Sequence, residues 1–204
     1  MKKTSNEMIR AFIAIELPEQ IHDNLRKLQD NLKEPMPDVR WIKYGNVHLT
    51  LKFLGDIESK RVDKIIKSIM DITEHFPSFT ASLSGIGAFP NSRKPSIIWA
   101  GIDKGFNVIS EIAREIESSM EKLGFPREKR PFKPHLTIGR VREIRHADMM
   151  AESLENLTID DIGEFAVEKV SLIKSQLDPA GSIYTILGEA LLEGRNNTNN
   201  KEMV

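Results

Sequence analysis

Val47-His-Leu-Thr-Leu-Lys-Phe-Leu-Gly55 and Lys133-Pro-His-Leu-Thr-Ile-Gly-Arg-Val141 carry the same tripeptide, His-Leu-Thr, each inside a run rich in apolar and β-branched residues. Such runs read as strands. Side chains in a strand alternate between two faces, so His48 and Thr50 share one face while Leu49 and Leu51 take the other. His135 and Thr137 are set against Leu136 and Ile138 in the same way. Each unit therefore offers an apolar face to a core and presents an imidazole and a hydroxyl on the opposite face.

The surroundings of the two units repeat as well. Residues 10–17 have strand composition, and Pro18 opens a helix over 19–32 in which Ile21, Leu25, Leu28 and Leu32 recur at helical spacing. A strand over 47–54 ends at Gly55-Asp56 and is followed by a helix over 59–72, with Val62, Ile65, Ile66, Ile69 and Ile72 in register. Strands at 79–89 and 97–102 flank a loop over Pro90–Pro95. The second half gives a helix at 108–123, a strand at 135–141, a helix at 147–157 and strands at 165–174 and 183–191. An internal repeat of this kind predicts an α+β fold of two similar lobes, each an antiparallel sheet with helices on its outer face, and a cleft between the lobes. Residues 1–194 are expected to form one two-lobed domain. Residues 195–204 are polar and aperiodic, and are expected to be a disordered tail.

A chain of 204 residues with 40% hydrophobic content can bury a sizeable core. Its 29 Lys and Arg against 30 Asp and Glu leave a net charge of −1, which removes any global attraction for long nucleic acid, so a phosphate-seeking surface has to be local. One such patch stands out around the second unit: Lys122, Arg127, Lys129, Arg130, Lys133, Arg140, Arg142 and Arg145, against Glu128 and Glu143. Cysteine is absent, which excludes disulfides, a thiol nucleophile and thiolate metal sites. The apolar stretch Ala11–Ile15 is too short for a signal-peptide core or a membrane span, so a soluble, cytoplasmic monomer is expected. Gly85-Ile-Gly87 meets Pro90 where a dinucleotide motif needs its third glycine. No P-loop, His-Glu-x-x-His or Gly-x-Ser-x-Gly is present, which argues against NTPase, zinc protease and serine hydrolase chemistry. Asn196-Asn-Thr198 matches a glycosylation acceptor by chance.

Docking the two polar faces would gather two imidazoles and two hydroxyls. Opening a cyclic phosphate needs a base for the attacking water and an acid for the departing ribose oxygen, and histidine can fill either role near neutrality. The threonine hydroxyls can donate to non-bridging phosphate oxygens. This scheme uses no metal and no cofactor. Lys52 falls on the face of His48 and Thr50 by alternation and is a further phosphate ligand on that reading. Phe53 falls on the apolar face and is expected in the core, whereas Phe132 could stack a base. His22, His75 and His146 lack a comparable context and are assigned no role.

Val47–Gly55 and Arg130-Pro-Phe-Lys-Pro-His-Leu-Thr-Ile-Gly-Arg140 resemble the paired His-x-Thr-x motifs of the two-histidine phosphoesterase superfamily, and within it the RNA 2',3'-cyclic phosphodiesterase family, also called 2'-5' RNA ligase. Arg10-Ala-Phe-Ile-Ala-Ile15 and Lys174-Ser-Gln-Leu-Asp-Pro-Ala-Gly-Ser-Ile-Tyr184 extend the resemblance over residues 8 to 191. It implies hydrolysis of RNA 2',3'-cyclic phosphate ends to 2'-phosphates, and the joining of 2',3'-cyclic phosphate and 5'-hydroxyl ends through 2'-5' linkages. It also implies that His48 is the proton donor, that His135 is the proton acceptor, and that Arg130 binds phosphate. The alternatives are a phosphodiesterase for a small cyclic nucleotide or cyclic phosphate metabolite, and a non-catalytic module that binds RNA ends.

Overall fold

The computed structural model describes residues 7–141, 143, 145–156, 161–179 and 181–195. Arg142, Leu157, the glycosylation match and the tail beyond Arg195 lie outside the described residues. Nine strands and four helices are described: β1 Met8–Ile15, α1 Glu19–Leu32, β2 Val39–Trp41, β3 Leu49–Glu58, α2 Val62–Thr73, β4 Phe79–Phe89, β5 Ile97–Ile102, α3 Phe106–Lys122, β6 His135–Val141, α4 Ala147–Asn156, β7 Gly163–Val167, β8 Lys169–Gln176 and β9 Ile183–Leu191. A single 3-10 turn, Ser59–Arg61, leads into α2.

The strands form two antiparallel sheets, one ordered β3-β1-β8-β9 and the other β2-β6-β5-β4-β7. The α+β class and the two-sheet architecture are as expected. Two details differ from the sequence reading. The short edge strand β2 pairs Arg40 with Arg140 and was missed, because three residues carry too little periodicity to be seen. The stretch read as one strand over 165–174 is two, because the chain leaves one sheet at Val167 and joins the other at Lys169.

The helices explain why the halves look alike in sequence yet do not fold as separate lobes. β1 and β3 are antiparallel neighbours joined through α1, and β5 and β6 are antiparallel neighbours joined through α3. In both cases the connecting helix crosses to the other sheet. Helix α1 lies against β7, and its buried Gln29 donates to the carbonyls of Ile42 (3.0 Å) and Ile138 (2.9 Å). Helix α3 lies against β3 and α2 of the first sheet. The buried faces of these helices, Ile21, Leu25, Leu28 and Leu32 on α1 and Ile109, Ile112, Ala113, Ile116 and Met120 on α3, repeat every three to four residues, as an amphipathic helix requires. Exchanging them ties both sheets into one continuous core that includes Ile13, Leu49, Ile98, Leu136 and Ile138. Helix α3 stops at Gly124, whose φ of +86° is a left-handed conformation that closes the helix end and suits glycine. Among the described residues no helix is long and apolar enough to cross a membrane.

Strand β1 is buried on both sides. Ile9, Ala11, Ile13 and Ile15 enter the main core, while Phe12 and Ala14 join Ile173 in a small second cluster with Tyr184 against it. That second cluster is the floor of the face carrying the first His-Leu-Thr unit.

Candidate active site

His48 immediately precedes β3, and Thr50 stands opposite Ala14 of β1 on the face of the second cluster. The His48 ring stacks on Phe12 with centroids 4.5 Å apart and meets the edge of Tyr184 at 5.2 Å. Its Nδ1 lies 3.1 Å from the carbonyl oxygen of Asn46. A carbonyl only accepts, so Nδ1 carries the proton in that bond and Nε2 of the neutral ring is left as an acceptor. Asn46 is itself fixed by a bond from its side-chain amide to the Ser182 carbonyl, 2.9 Å.

The second unit repeats the device. His135 opens β6, its Nδ1 is 2.7 Å from the carbonyl of Lys133, also two residues upstream, and its ring meets the edge of Phe89 at 5.0 Å. Thr137 stands opposite Trp99 of β5. Neither Thr50 nor Thr137 spends its hydroxyl on a hydrogen bond to another described residue. Strands β3 and β6 touch across the two sheets. The Arg140 guanidinium on β6 is near enough to His48 for its charge to act on that ring.

Burial among aromatic rings is the main influence on His48. Desolvation pushes its pKa down to about 4, with smaller opposing help from the Asn46 carbonyl and a further push downward from Arg140 and His22. The free protein therefore holds His48 neutral at pH 7.

Each threonine is followed by a β-bulge at the same place. Register on β1 passes from Thr50 to Lys52, leaving Leu51 unpaired, and register on β5 passes from Thr137 to Gly139, leaving Ile138 unpaired. A bulge turns the strand and resets the alternation beyond it. This corrects two sequence expectations. Lys52 pairs with Ile13 and points to the core side, where it is buried, donating to Glu117 (2.8 Å) and to the Pro126 carbonyl (3.0 Å). It is not available as a phosphate ligand. Phe53 pairs with Phe12, sits 6.1 Å from it on the face of the site, and is 58% exposed instead of lying in the core. Strict alternation gives the opposite answer for both residues because it cannot register an inserted residue.

Arg130 is exposed in the segment leading to His135 and has no ion-pair partner among the described residues. Of the basic patch, Arg127 is drawn to Glu121 (3.2 Å) and Arg145 to Glu143 (2.7 Å), while Lys122, Lys129, Lys133 and Arg140 stay exposed. Phe132 is partly buried against the main core. His146 pairs with Asp38, His75 lies beside Glu74, and His22 packs near Tyr44. The aromatic frame of Phe12, Tyr184 and Phe89 was not picked out from the sequence. Alternation in Arg10–Ile15 does separate Phe12 and Ala14 from Ile13 and Ile15, but nothing local says which strand Phe12 will lie beside.

A family model for LigT-like phosphoesterases matches residues 15–99 and 102–184, most of the chain and both histidine units. The chain belongs to the LigT-like phosphoesterase family. Among relatives of this LigT-like chain, the RNA 2',3'-cyclic phosphodiesterase of Methanothermobacter thermautotrophicus is 36% identical over 87% of the chain and 95% of its own length. That of Methanocaldococcus jannaschii is 35% identical over 89% and 99%. Among solved structures, a Thermus thermophilus protein superposes with a TM-score of 0.78 at 26% identity, covering 92% of this chain and all of its own. Escherichia coli LigT complexed with 3'-AMP superposes with a TM-score of 0.74 at 26% identity, covering 91% and 99%. The LigT-like fold and the phosphoesterase class of this chain are thereby fixed.

Proposed function

We propose that the chain hydrolyses the 2',3'-cyclic phosphate end of an RNA to a 2'-phosphate, with His48 and His135 as a general acid and base on opposite sides of one phosphorus. The observation that carries this reading is the duplicated unit: two imidazoles with Nδ1 tied to the carbonyl two residues upstream, each beside an unengaged threonine hydroxyl, on strands that touch. The names of the M. thermautotrophicus and M. jannaschii relatives supply the substrate.

In the forward direction His135, neutral at Nε2, takes the proton of the attacking water as its oxygen adds to phosphorus. His48 gives a proton from Nε2 to the departing 3' oxygen, and the P–O3' bond breaks. Thr50 and Thr137 donate to the non-bridging oxygens, whose charge grows in the transition state. His48 must gain its proton first. Raising its pKa from about 4 to near neutrality requires roughly 3–4 kcal/mol at 1.36 kcal/mol per unit. A phosphate anion at ~4 Å supplies about 4 kcal/mol at an effective dielectric of ~20. Substrate binding thus loads the acid; the transfer to O3' leaves His48 neutral, and the proton taken up by His135 is returned to solvent before the next turnover. The same proton transfers with a 5'-hydroxyl in place of water, the P–O3' bond again breaking, give 2'-5' ligation. Arg130 is assigned to the incoming phosphodiester. The scheme needs no metal, the domain comprises residues 1–194, and the working state is a cytoplasmic monomer.

The test is turnover of a short RNA ending in a 2',3'-cyclic phosphate, with the product checked for a 2'- rather than a 3'-phosphate. Chelator is added in parallel, and a mononucleoside 2',3'-cyclic phosphate serves as the small competitor substrate. A 2'-phosphate product, resistance to chelator and higher kcat/KM on RNA are expected. A 3'-phosphate product, or loss of activity to chelator with recovery on adding a divalent ion, contradicts the mechanism. Preference for the mononucleotide selects the small-metabolite alternative.

A further inference from the structure

Buried Lys52 and partly buried Glu117 form an ion pair that the acid–base scheme does not use. Its two ends belong to different parts of the site. Lys52 follows the bulge after Thr50 on β3, and its side chain is 1% exposed. Glu117 lies on α3, the helix that crosses from the β5–β6 unit onto the sheet of β3. One Glu117 oxygen accepts from Lys52 at 2.8 Å while the other accepts the backbone N–H of Glu128 at 2.9 Å, and Lys52 also donates to the Pro126 carbonyl at 3.0 Å. The pair therefore grips the start of the segment that carries Arg130, whose far end is the Lys133 carbonyl holding the His135 ring. Arg61 grips the same segment just upstream, donating to the Leu123 carbonyl at 2.6 Å with its guanidinium 4.1 Å over the Phe125 ring.

The second unit has a counterpart. Gln29 on the other crossing helix, α1, donates to the carbonyl of Ile138, the bulged residue after Thr137. Both His-Leu-Thr units are thus followed by a bulge, and a polar side chain from the helix that crosses onto that sheet bonds the bulged residue in one unit and the residue after it in the other. A buried charge pair adds little net stability compared with apolar residues of similar size. A pair that ties the residue after a bulge to a loop beside reacting groups adds position instead.

We propose that Lys52 and Glu117 are positioning residues, a clasp that holds the segment from Pro126 to Pro134 against the first motif and so keeps Arg130 and His135 in register with His48 and Thr50. The link to catalysis rests on the function proposed above; the clasp itself is tested separately, by protease protection. Trypsin can cut after Arg127 and Lys129, and the amide of the Arg127–Glu128 bond is the one that Glu117 holds. The experiment compares Lys52→Met, Glu117→Gln and the double Lys52→Met/Glu117→Met with wild type for Tm, kcat and trypsin cleavage in native buffer. Single variants should be cleaved faster and lose about ten- to a hundredfold in kcat, the effect of an ångström-scale misplacement. The double variant should recover Tm close to wild type, because an apolar pair replaces the ion pair, while its kcat stays low and its cleavage stays fast. Recovery of kcat to within twofold together with Tm would show the pair to be structural only and overturn the proposal. If the double variant does not recover Tm, Glu117→Gln assayed well below its own Tm decides: wild-type kcat and protection overturn the proposal, and their joint loss supports it. If wild type fails to turn over any RNA cyclic phosphate, the functional reading falls while the cleavage rates still judge the clasp.

Discussion

His48 and His135 hold the same pose by the same local bond, yet their surroundings differ, and the difference sets what each can do. His48 is walled by Phe12 and Tyr184, which drives its pKa down to about 4. In a proton-detected titration the His48 ring should stay neutral down to about pH 4 in the free protein, and its midpoint should rise by two units or more when a nucleoside 2'-phosphate binds. A midpoint unmoved by product would remove His48 as the loaded acid. The same shift makes a stability statement. The folded pKa lies below the unfolded value of 6.5, so the unfolded chain binds the extra proton, and this group's contribution is full above pH 6.5 and declines as pH falls toward 4. About 3 kcal/mol is at stake over that window, and His48→Phe should flatten the acid side of a Tm-against-pH curve. For activity, His48→Ala and His135→Ala should each lower kcat/KM by about 10²- to 10⁴-fold, the usual effect of losing a general acid or base. Thr50→Val and Thr137→Val should each lose about ten- to a hundredfold in kcat/KM, read from initial rates, if each hydroxyl donates to the transition-state phosphate.

At the scale of elements the sequence was most informative where a pattern is periodic and least where a single residue breaks the period. The apolar stripes of α1 and α3 and the strands carrying both His-Leu-Thr units were legible, because 3.6-residue and two-residue repeats survive in the chain itself. The bulges at Leu51 and Ile138 were not, because an unpaired residue is defined by its partner strand. That one feature misplaced Lys52 and Phe53 while leaving His48, Thr50, His135 and Thr137 on their expected faces, since these precede the bulges. Gln29 marks how firmly the second bulge is held. Gln29→Leu leaves the carbonyls of Ile42 and Ile138 without this donor and should destabilise the protein by about 2 kcal/mol. At roughly 2–4 °C per kcal/mol for a chain of this size, the expected loss is about 4–8 °C in Tm by calorimetry.

For the molecule as a whole, the exchange of α1 and α3 between sheets turns two similar units into one body with a shared core. The internal repeat pointed to two facing lobes, but not to this interleaving, which depends on which sheet each crossing helix lands on. The consequence is cooperative. Unfolding should follow one transition, with far-UV circular dichroism and loss of activity coincident, whereas lobes made of separate sequence halves would give two. It also brings β3 into contact with β6, and under the proposed function that contact is the place where the chemistry stands or falls. The most direct test is a crystal structure with a nucleoside 2'-phosphate bound. Nε2 of His48 and Nε2 of His135 should each lie within about 3.2 Å of an oxygen of the same phosphate, with the Thr50 and Thr137 hydroxyls on its non-bridging oxygens. A phosphate held by only one imidazole, or seated away from both, would contradict the two-histidine mechanism.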